Sequence, residues 1–459
     1  MNVQIGSRKK SKQKVKNSTL ILIAFSTGLL SRIVDTIGTP STINFLHFIT
    51  VPFTCGFIFA TTKTKSQKQA AISRAIIFGL FILLGVMLAS ALLNQAGVIN
   101  VALDLMLLGE PFMLLLAIVS ASMSLASLDK LHTWLVRFSF IHTLAAFVQQ
   151  YVLRLYNLPG GPDNIQGIFY RSGAGHVVGA SVALTFGLYY FLSAKTAPIW
   201  LRVLVCLATF WHMLLADAKQ VLLSFVVAGV LLLLTKFKDI GQALKYLIIA
   251  VVVIGILIWC IQNLEAFSAF STWVRPEIYG PKGEATLLKT ASFRIIPTYY
   301  QSPLNSWLGL GPGHTVGRLG GWMLKEYEDL LIPLGATTHP ASFAVWTEVG
   351  ASWLGDQSSM FSPLFGWAGI WGDLGFLGLG AYLYLGYIVW SKLCFDDFSK
   401  LLVLNVFVTG LVFSQMEEPS YMLYIAMVIG LRWQQQFQTK TKNIPNAVSS
   451  EADQYFHSW

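Results

Sequence analysis

Residues 215–234 read LADAKQVLLSFVVAGVLLLL. Asp217 and Lys219 stand at the start of this stretch, and the run from Val221 to Leu234 contains no charged residue. A long uncharged run beside a short charged connection is typical of a helix that crosses a bilayer. The whole chain of 459 residues agrees with this interpretation, because only 12% of it is charged, whereas a soluble domain carries about 25%. With a mean hydropathy of +0.60, the chain is expected to be an integral membrane protein.

Further apolar stretches of about 20 residues recur along the chain, and each is long enough to cross a bilayer. They predict an all-α polytopic fold with about twelve transmembrane helices. In the fourth, Glu110-Pro111 interrupts the apolar run, and the part before it is alternatively a re-entrant or peripheral segment. The expected spans are 19–37, 42–60, 75–93, 101–128, 135–153, 176–194, 198–215, 220–235, 246–262, 366–390, 400–416 and 420–437.

The distribution of lysine and arginine predicts the orientation. With the N-terminus inside, most basic residues fall in the cytoplasmic connections, as the positive-inside rule requires. Both termini are then cytoplasmic, and the segment 1–18 is a basic cytoplasmic tail. The sequence predicts no cleaved signal peptide, because the basic stretch leads into a full span without a small-residue cleavage site.

One connection is much longer than the others. The first nine expected spans lie in the segment 19–262, and the last three lie in the segment 366–437. Residues 263–365, between these segments, contain no run long enough to cross the bilayer. Connections of this length are usually functional or disordered, and the aromatic content argues against disorder. We therefore expect a folded, mostly helical extracytoplasmic domain, and a second cytoplasmic tail at 438–459.

The sequence lacks the motifs of several common enzyme classes. The chain has no GxxxxGK[ST], HExxH, CxxC or GxSxG motif, which argues against nucleotide hydrolysis, zinc sites and serine esterase work. The net charge of +10 does not form a basic stripe with interleaved aromatic residues, so nucleic acid is not an expected partner. No carboxylate pair demands a metal, and we expect no metal and no other cofactor.

Ionisable residues gather on the expected outer side, where they become functional candidates. Arg294 opens a helical pattern that ends in a Pro/Gly turn, and its guanidinium can pair bidentately with phosphate oxygens or with a loop carboxylate such as Glu284. His339 precedes a helical pattern, where an imidazole can act as a base, donate a hydrogen bond to a sugar hydroxyl, or serve structure alone. The remaining candidates are Arg171, Asp217, Lys219, His314 and Glu348.

Three segments, taken in order and in topological placement, resemble the O-antigen ligase and O-antigen polymerase family of membrane glycosyltransferases. LADAKQVLLSFVVAGVLLLL resembles the family's Ser-Arg-Gly span. FRIIPTYYQSPLNSWLGLGPGH, at 293–314, resembles its Arg-led helix and glycine turn, and THPASFAVWTEVG, at 338–350, resembles its His-to-Glu segment. The resemblance covers about residues 165–390 and implies a GT-C-like fold acting on undecaprenyl-diphosphate-linked glycans.

Carried onto this sequence, the resemblance implies that Arg294 and Lys219 hold the donor's diphosphate, with Arg171 as a further ligand. His339 would activate or orient the acceptor hydroxyl. Support would come from His314, Asp217 and Glu348. The chain departs from the family at Lys219, where arginine is usual, because lysine keeps the charge but lacks the bidentate fork.

A second departure is the long insertion after His339. It leaves Glu348 and Asp373 as alternatives for the family's acidic position.

The expected function is transfer or polymerisation of lipid-diphosphate-linked oligosaccharides at the outer face of a bacterial inner membrane, for surface polysaccharide. Partners would be this donor, a glycan, lipid or protein acceptor, and membrane lipids. Polymerase is favoured over ligase, although the two share the donor chemistry. The alternatives are a transporter of a small anion or lipid-linked sugar, which would place charge at the bilayer midplane, and a structural scaffold.

Overall fold

The computed structural model describes residues 16–62, 66–170, 174–236, 240–264, 267, 270, 275–357 and 359–442. Within these ranges every regular element is a helix and no β-strand occurs. The all-α expectation is therefore confirmed for the described part of the chain. Most of the N-terminal tail, the end of the C-terminal tail and Arg171 lie outside it.

Nine helices of the described part precede the long connection. They are α1 (Asn17–Thr36), α2 (His47–Thr61), α3 (Gln67–Asn94), α4 (Val98–Ser120), α5 (Leu125–Phe147), α6 (Gly175–Ser193), α7 (Ile199–Leu215), α8 (Lys219–Leu234) and α9 (Ile240–Asn263). Seven short helices with defined bounds follow in the described part of the connection. They are α10 (Glu284–Lys289), α11 (Ala291–Ile295), α12 (Asn305–Leu308), α13 (Leu324–Glu326), α14 (Glu328–Leu331), α15 (Pro340–Ala351) and α16 (Trp353–Gln357). The chain then returns to long helices with α17 (Gly366–Ile388), α18 (Asp397–Gly410) and α19 (Pro419–Lys442).

Eight helical segments of the described chain are long and apolar enough to cross a membrane. They are Asn17–Thr36, Ser41–Thr61, Gln67–Asn94, Val98–Ser120, Leu125–Val152, Gly175–Ser193, Leu244–Asn263 and Ser359–Leu393. The chain is thus a helical protein with the features of a multi-pass membrane protein.

The four other expected spans also fall on helices, but these are shorter or more polar. α7 and α8 have 17 and 16 residues, and α18 has 14. α19 has 24 residues, and its second half contains three consecutive glutamines, Gln434, Gln435 and Gln436. The total of twelve spans therefore stays a prediction.

α4 is the central helix of the bundle. It packs against α2, α3 and α19, and 78% of its apolar window is buried. The alternative of a re-entrant or peripheral segment before Glu110-Pro111 is wrong, because both residues lie inside one continuous helix. Proline is tolerated there because neighbouring helices surround the freed backbone group. The Glu110 carboxylate has a partner in His47, whose Nδ1 lies 2.9 Å from each of the two carboxylate oxygens.

α9, unlike α4, lies at the outside of the bundle and is exposed. None of its apolar window is buried, and in the described residues it packs chiefly against α8. An apolar helix exposed on all sides needs a nonaqueous surrounding, which agrees with a bilayer.

The short helices of the connection pack on one end of the bundle. α12 lies on α17 and α3, and the π-helical turn Leu319–Met323 lies on α4. We call this end, to which the connection 275–365 and the first turn of α4 belong, the loop end. It holds the residues considered next.

Candidate functional site

A glycine-rich segment, Gly309–Arg318 (GLGPGHTVGR), enters the bundle at the loop end. Its residues are buried up to Gly317. α17 is kinked at Gly375, and backbone carbonyls near the kink accept bonds from the segment instead of from the helix: Leu310 N donates to Gly372 O at 2.8 Å, and Gly311 N donates to Asp373 O at 3.0 Å. The segment therefore docks on α17 as if it were a short strand.

Two glycines permit this close approach. Gly309 has φ +70° and Gly375 has φ +64°, in the left-handed region that favours glycine. A Cβ on Gly309 would lie 2.3 Å from the carbonyl carbon of Asp373, and a Cβ on Gly375 would lie 2.3 Å from that of Trp307. Any side chain at either position would push the segment away from α17.

The Asp373 carboxylate fixes the conformation of the segment. Oδ2 accepts a hydrogen bond from Gly313 N at 2.9 Å. Oδ1 accepts from Thr315 N and from Thr315 Oγ1, both at 2.7 Å. Asn100 of α4 adds a further anchor, because its Nδ2 donates to Pro312 O at 2.8 Å. Of the two alternatives for the acidic position, Asp373 is thus the buried and engaged one, whereas Glu348 is exposed on α15.

Arg318 ends the segment beside two acidic residues that precede α19. Its backbone N donates to Glu417 Oε2 at 2.5 Å, and its guanidinium is paired with Glu418 and lies over the ring of Trp322 at 5.0 Å. Burial raises the pKa of Glu417 to about 8; the nearby Asp373 carboxylate also raises it, while the Arg318 backbone N–H lowers it. Glu418 is therefore the carboxylate that balances the Arg318 charge.

Arg318 and Glu418 line a cavity of about 300 Å³. Its walls come from the start of α6, the Gly309–Arg318 segment, α15 and the residues before α17 and α19. Trp346 is fixed in the wall because its Nε1 donates to Gly321 O at 2.7 Å. The lining residues are Ala174, Val177, Val178, Val316, Gly317, Arg318, Gly321, Trp322, Trp346, Ser359, Ser362, Leu364, Phe413, Ser414, Gln415 and Glu418. We call this space the Arg318 cavity.

Gln415 is the one lining residue of this cavity that is buried with its whole amide unpaired. Only 4% of its surface is exposed, and neither Nε2 nor Oε1 has a hydrogen-bond partner among the described residues. A buried amide without partners is unfavourable by about 1–3 kcal/mol. Because the amide lines a cavity, a molecule that enters it, either water or a ligand, can supply these partners.

A smaller cavity of about 30 Å³ adjoins the first and shares Arg318, Trp322 and Glu418 with it. Its other walls include Arg32 of α1 and His47 of α2. Its volume suits a single water molecule. We call it the Arg32 cavity.

His314 is held by hydrogen bonds on both ring nitrogens. Nδ1 lies 2.8 Å from Leu310 O, and Nε2 lies 2.8 Å from Thr337 Oγ1. A carbonyl can only accept, so Nδ1 carries the proton and Nε2 accepts from the threonine hydroxyl. Burial lowers the pKa of His314 to about 4. The neutral ring supports the segment and has no nitrogen left for a substrate.

His339 caps the N-terminus of α15. Its Nδ1 accepts a hydrogen bond from Ala341 N at 3.2 Å, so the neutral ring carries its proton on Nε2. Partial burial lowers the pKa of His339. Its ring stacks on His314 with the centroids 5.4 Å apart. The geometry therefore favours a role for His339 as a hydrogen-bond donor, through Nε2, over a role as a base.

Arg294 is exposed on α11, and its Nη2 donates to Leu287 O at 2.8 Å. The carboxylate considered as its alternative partner, Glu284, instead accepts from Ser352 Oγ at 2.5 Å. Arg294 is not a lining residue of the Arg318 cavity.

Lys219 opens α8 and is buried, with its ammonium 2.5 Å from Asp217 Oδ1. Asp217 has φ +49°, and its side chain is 44% exposed. Ala218, between them, packs in one apolar cluster with Val177 and Phe413, two residues that line the Arg318 cavity. The residue between the two charged side chains thus packs in the same apolar cluster as part of the cavity wall.

Lys289 is a buried cation that the sequence analysis did not single out. Its Nζ donates to the carbonyls of Met360, Ser362 and Val412 at 3.0–3.3 Å, and lies over the ring of Phe365 at 4.1 Å. Burial lowers its pKa to about 7. These bonds join the backbone on two sides of the Arg318 cavity.

Other residues of the site were also not predicted from the sequence, although some of them occupy positions that stand out in it. Arg318 follows the glycine turn, the acidic pair Glu417-Glu418 separates two apolar segments, and Asp104 is an isolated acid in an apolar span. The buried carboxylates of Asp373 and Glu417 lie near enough to Asp104 to repel its charge. Gln415 had no such signal, because a single glutamine is unremarkable in sequence.

No family model matches the chain, and no curated protein matches it. Among the described residues, no group of three or more histidine, cysteine, aspartate or glutamate side chains has an arrangement that could hold a metal ion.

Proposed function

We propose that the chain is a membrane glycosyltransferase that transfers or polymerises lipid-diphosphate-linked oligosaccharides, with polymerisation favoured over ligation. It would act at the outer face of a bacterial inner membrane, with about twelve spans and both termini in the cytoplasm. The observation that carries the proposal is the Arg318 cavity, whose lining includes a guanidinium, a carboxylate, an unpaired amide and two tryptophans.

The chemistry of glycosyl transfer matches these groups. The acceptor hydroxyl oxygen attacks the anomeric carbon, the bond from this carbon to the phosphate oxygen breaks, and the lipid diphosphate leaves with the electron pair. Arg318 stabilises the growing negative charge through bidentate hydrogen bonds. Glu418 receives the proton of the hydroxyl. The charge on the leaving group is the main requirement, and Arg318 meets it.

Sugar recognition would use the remaining walls. Trp322 and Trp346 present rigid aromatic surfaces, and the Gln415 amide offers two donors and an acceptor for sugar hydroxyls. The resemblance adds Arg294 and Lys219 as diphosphate ligands, with Arg171 as a third, and His339 as the group that orients the acceptor. For His339, donation from Nε2 fits that role.

The test is transfer by the purified protein in lipid vesicles, with native undecaprenyl-diphosphate-linked glycan as donor and gel analysis of products. A ladder on the lipid carrier would support a polymerase, and a single product on another acceptor would support a ligase. No product with any donor or acceptor would contradict the proposal.

Variants connect the activity to the cavity. Arg318→Gln should lower transfer at least about a hundredfold, as loss of a charge-stabilising donor does. Arg275→Gln is the matched control, because Arg275 is an exposed arginine of the same connection that does not line the cavity. Equal losses in both variants would remove Arg318 from the mechanism.

Transport is the second candidate, and the buried His47–Glu110 pair favours it. This pair extends the ionisable residues of the Arg32 cavity into the bundle. A transporter would move labelled phosphate, as a small anion, or a labelled lipid-linked sugar across the vesicle membrane, and would lose this uptake in Glu110→Gln. Transfer without such uptake would leave glycosyl transfer as the function.

A further inference from the structure

An apolar groove of about 400 Å³ runs along the side of the bundle. α1 forms one wall, the turn before α2 closes the loop end, and Trp134 and Phe138 of α5 form the opposite wall. Its lining residues are Leu22, Ile23, Ser26, Thr27, Leu30, Ser31, Val34, Ile43, Leu46, Trp134 and Phe138. We call it the α1 groove.

The shape of the groove suits a single hydrocarbon chain. From Leu22 to Val34 the α1 wall extends about 18 Å, at 1.5 Å per residue, which is more than half of a hydrocarbon core of about 30 Å. A protein helix is about 10 Å wide or more and would not enter a space of this volume. One lipid chain can lie along most of the length of the groove.

Shared lining residues relate the groove to the two cavities that contain arginines. Ser31 lines both the α1 groove and the Arg32 cavity, and Arg318 lines both the Arg32 cavity and the Arg318 cavity. The three spaces therefore follow one another, from apolar to charged, toward the loop end. An amphiphile with a long hydrocarbon chain and an anionic head group would match this arrangement, with its chain in the apolar space and its head group beside the charged residues.

We propose that the α1 groove binds the hydrocarbon chain of the lipid diphosphate donor, with the phosphates directed toward Arg32 and Arg318. This inference rests on the proposed function, because it assigns the chain of the same donor. The donor is favoured over bulk phospholipid because the Arg32 cavity shares lining residues with both the α1 groove and the cavity proposed for transfer. The two cationic side chains complement a diphosphate.

Filling the groove tests the inference by kinetics. Ser26→Trp places a large ring in the groove, whereas Ile248→Trp adds the same ring to an exposed position of α9 and serves as the matched control. With the undecaprenyl donor, Ser26→Trp should raise KM about tenfold or more and leave kcat unchanged. With a donor that carries a short prenyl chain, its KM should equal that of the wild type. Equal KM values for wild type and Ser26→Trp with the long donor would overturn the inference.

A binding measurement separates this inference from the proposed function. Undecaprenyl diphosphate with a benzophenone group on its chain should crosslink to residues 22–34 and 134–138, and Ser26→Trp should lose these crosslinks. Phosphatidylglycerol with the same label is the comparison lipid. Equal labelling by both lipids, without competition by unlabelled undecaprenyl diphosphate, would overturn the inference even if transfer is observed. Specific crosslinks without transfer would support the groove and contradict the proposed reaction.

Discussion

The Asp373 carboxylate accepts two hydrogen bonds from Thr315, one from its backbone N and one from its hydroxyl, both at 2.7 Å. Asp373 lies on a kinked helix, whereas Thr315 lies in a glycine-rich segment of the long connection. This contact, with the third bond from Gly313 N, sets the path of the chain that leads to Arg318. The position of the cavity arginine thus depends on a carboxylate that does not line the cavity.

Asp373→Asn should weaken this arrangement. The amide replaces one acceptor oxygen by a donor that faces the donors of Gly313 or Thr315, so at least one buried hydrogen bond is lost. We expect the free energy of unfolding to fall by about 1–3 kcal/mol and transfer to fall with it. Thermal unfolding in detergent measures the first effect. Asp329→Asn, at an exposed position, is the control, and equal stability of the two variants would contradict the role of Asp373.

Gln415→Leu should separate stability from activity. Removing an unpaired buried amide relieves its desolvation, so the variant should unfold at the same or a higher temperature than the wild type. Transfer should fall at least about tenfold, because the substrate loses its partner in the wall. Unfolding temperature and transfer rate are measured on the same preparation. Normal transfer in a stable variant would show that Gln415 contacts no substrate.

Arg294→Ala tests the assignment that comes from the resemblance. Arg294 is exposed and makes a single hydrogen bond to Leu287 O, so its removal should leave the unfolding temperature unchanged. If Arg294 holds the diphosphate, transfer should fall about a hundredfold. Turnover equal to that of the wild type would leave Arg318 as the guanidinium for the leaving group.

Lys219 requires a comparison of three variants. As a phosphate ligand it should tolerate Lys219→Arg and lose most transfer in Lys219→Ala. Asp217→Asn removes its ion-pair partner but keeps the ammonium, so this variant should retain transfer. The transfer rate is the measurement. If Asp217→Asn and Lys219→Ala lose the same activity, Lys219 serves the ion pair and not the substrate.

His314 should make stability depend on pH. Its pKa of about 4 in the folded protein lies below the ordinary value of 6.5, so between these values the unfolded chain binds more protons than the folded one. Stability is therefore fully present above pH 6.5 and falls as the pH drops toward 4, by at most about 3 kcal/mol from this group. His314→Gln should reduce the slope of unfolding temperature against pH in this window. An unchanged slope would contradict a neutral, buried ring.

The helical scaffold was largely predictable because hydropathy marks each long apolar helix directly. α3, α6 and α9 lie near their expected positions. The re-entrant alternative at Glu110-Pro111 arose because a buried acid and a proline both suggest an interruption of the expected span. The partner that satisfies Glu110 is His47, on another helix. α7, α8 and α18 proved shorter than a typical span, and hydropathy alone does not measure helix length.

Within the candidate site, the glycine turn could be recognised in the sequence, but its partners could not. His339 and Arg294 were predicted from residue type and position. Their local contacts, a helix cap and a bond to a backbone carbonyl, depend on conformations that the sequence pattern did not specify.

The sequence by itself determined that the chain is helical and apolar enough for a membrane, and that one long connection separates two groups of helices. Only the tertiary structure decided that Arg318 meets Glu418 and that Gln415 faces a cavity without a partner. The physical reason is that lipid-facing and core-facing positions of a membrane helix are both apolar, so hydropathy does not reveal how each helix is rotated. The rotation and packing of the helices decide which polar side chains, distant in sequence, lie together.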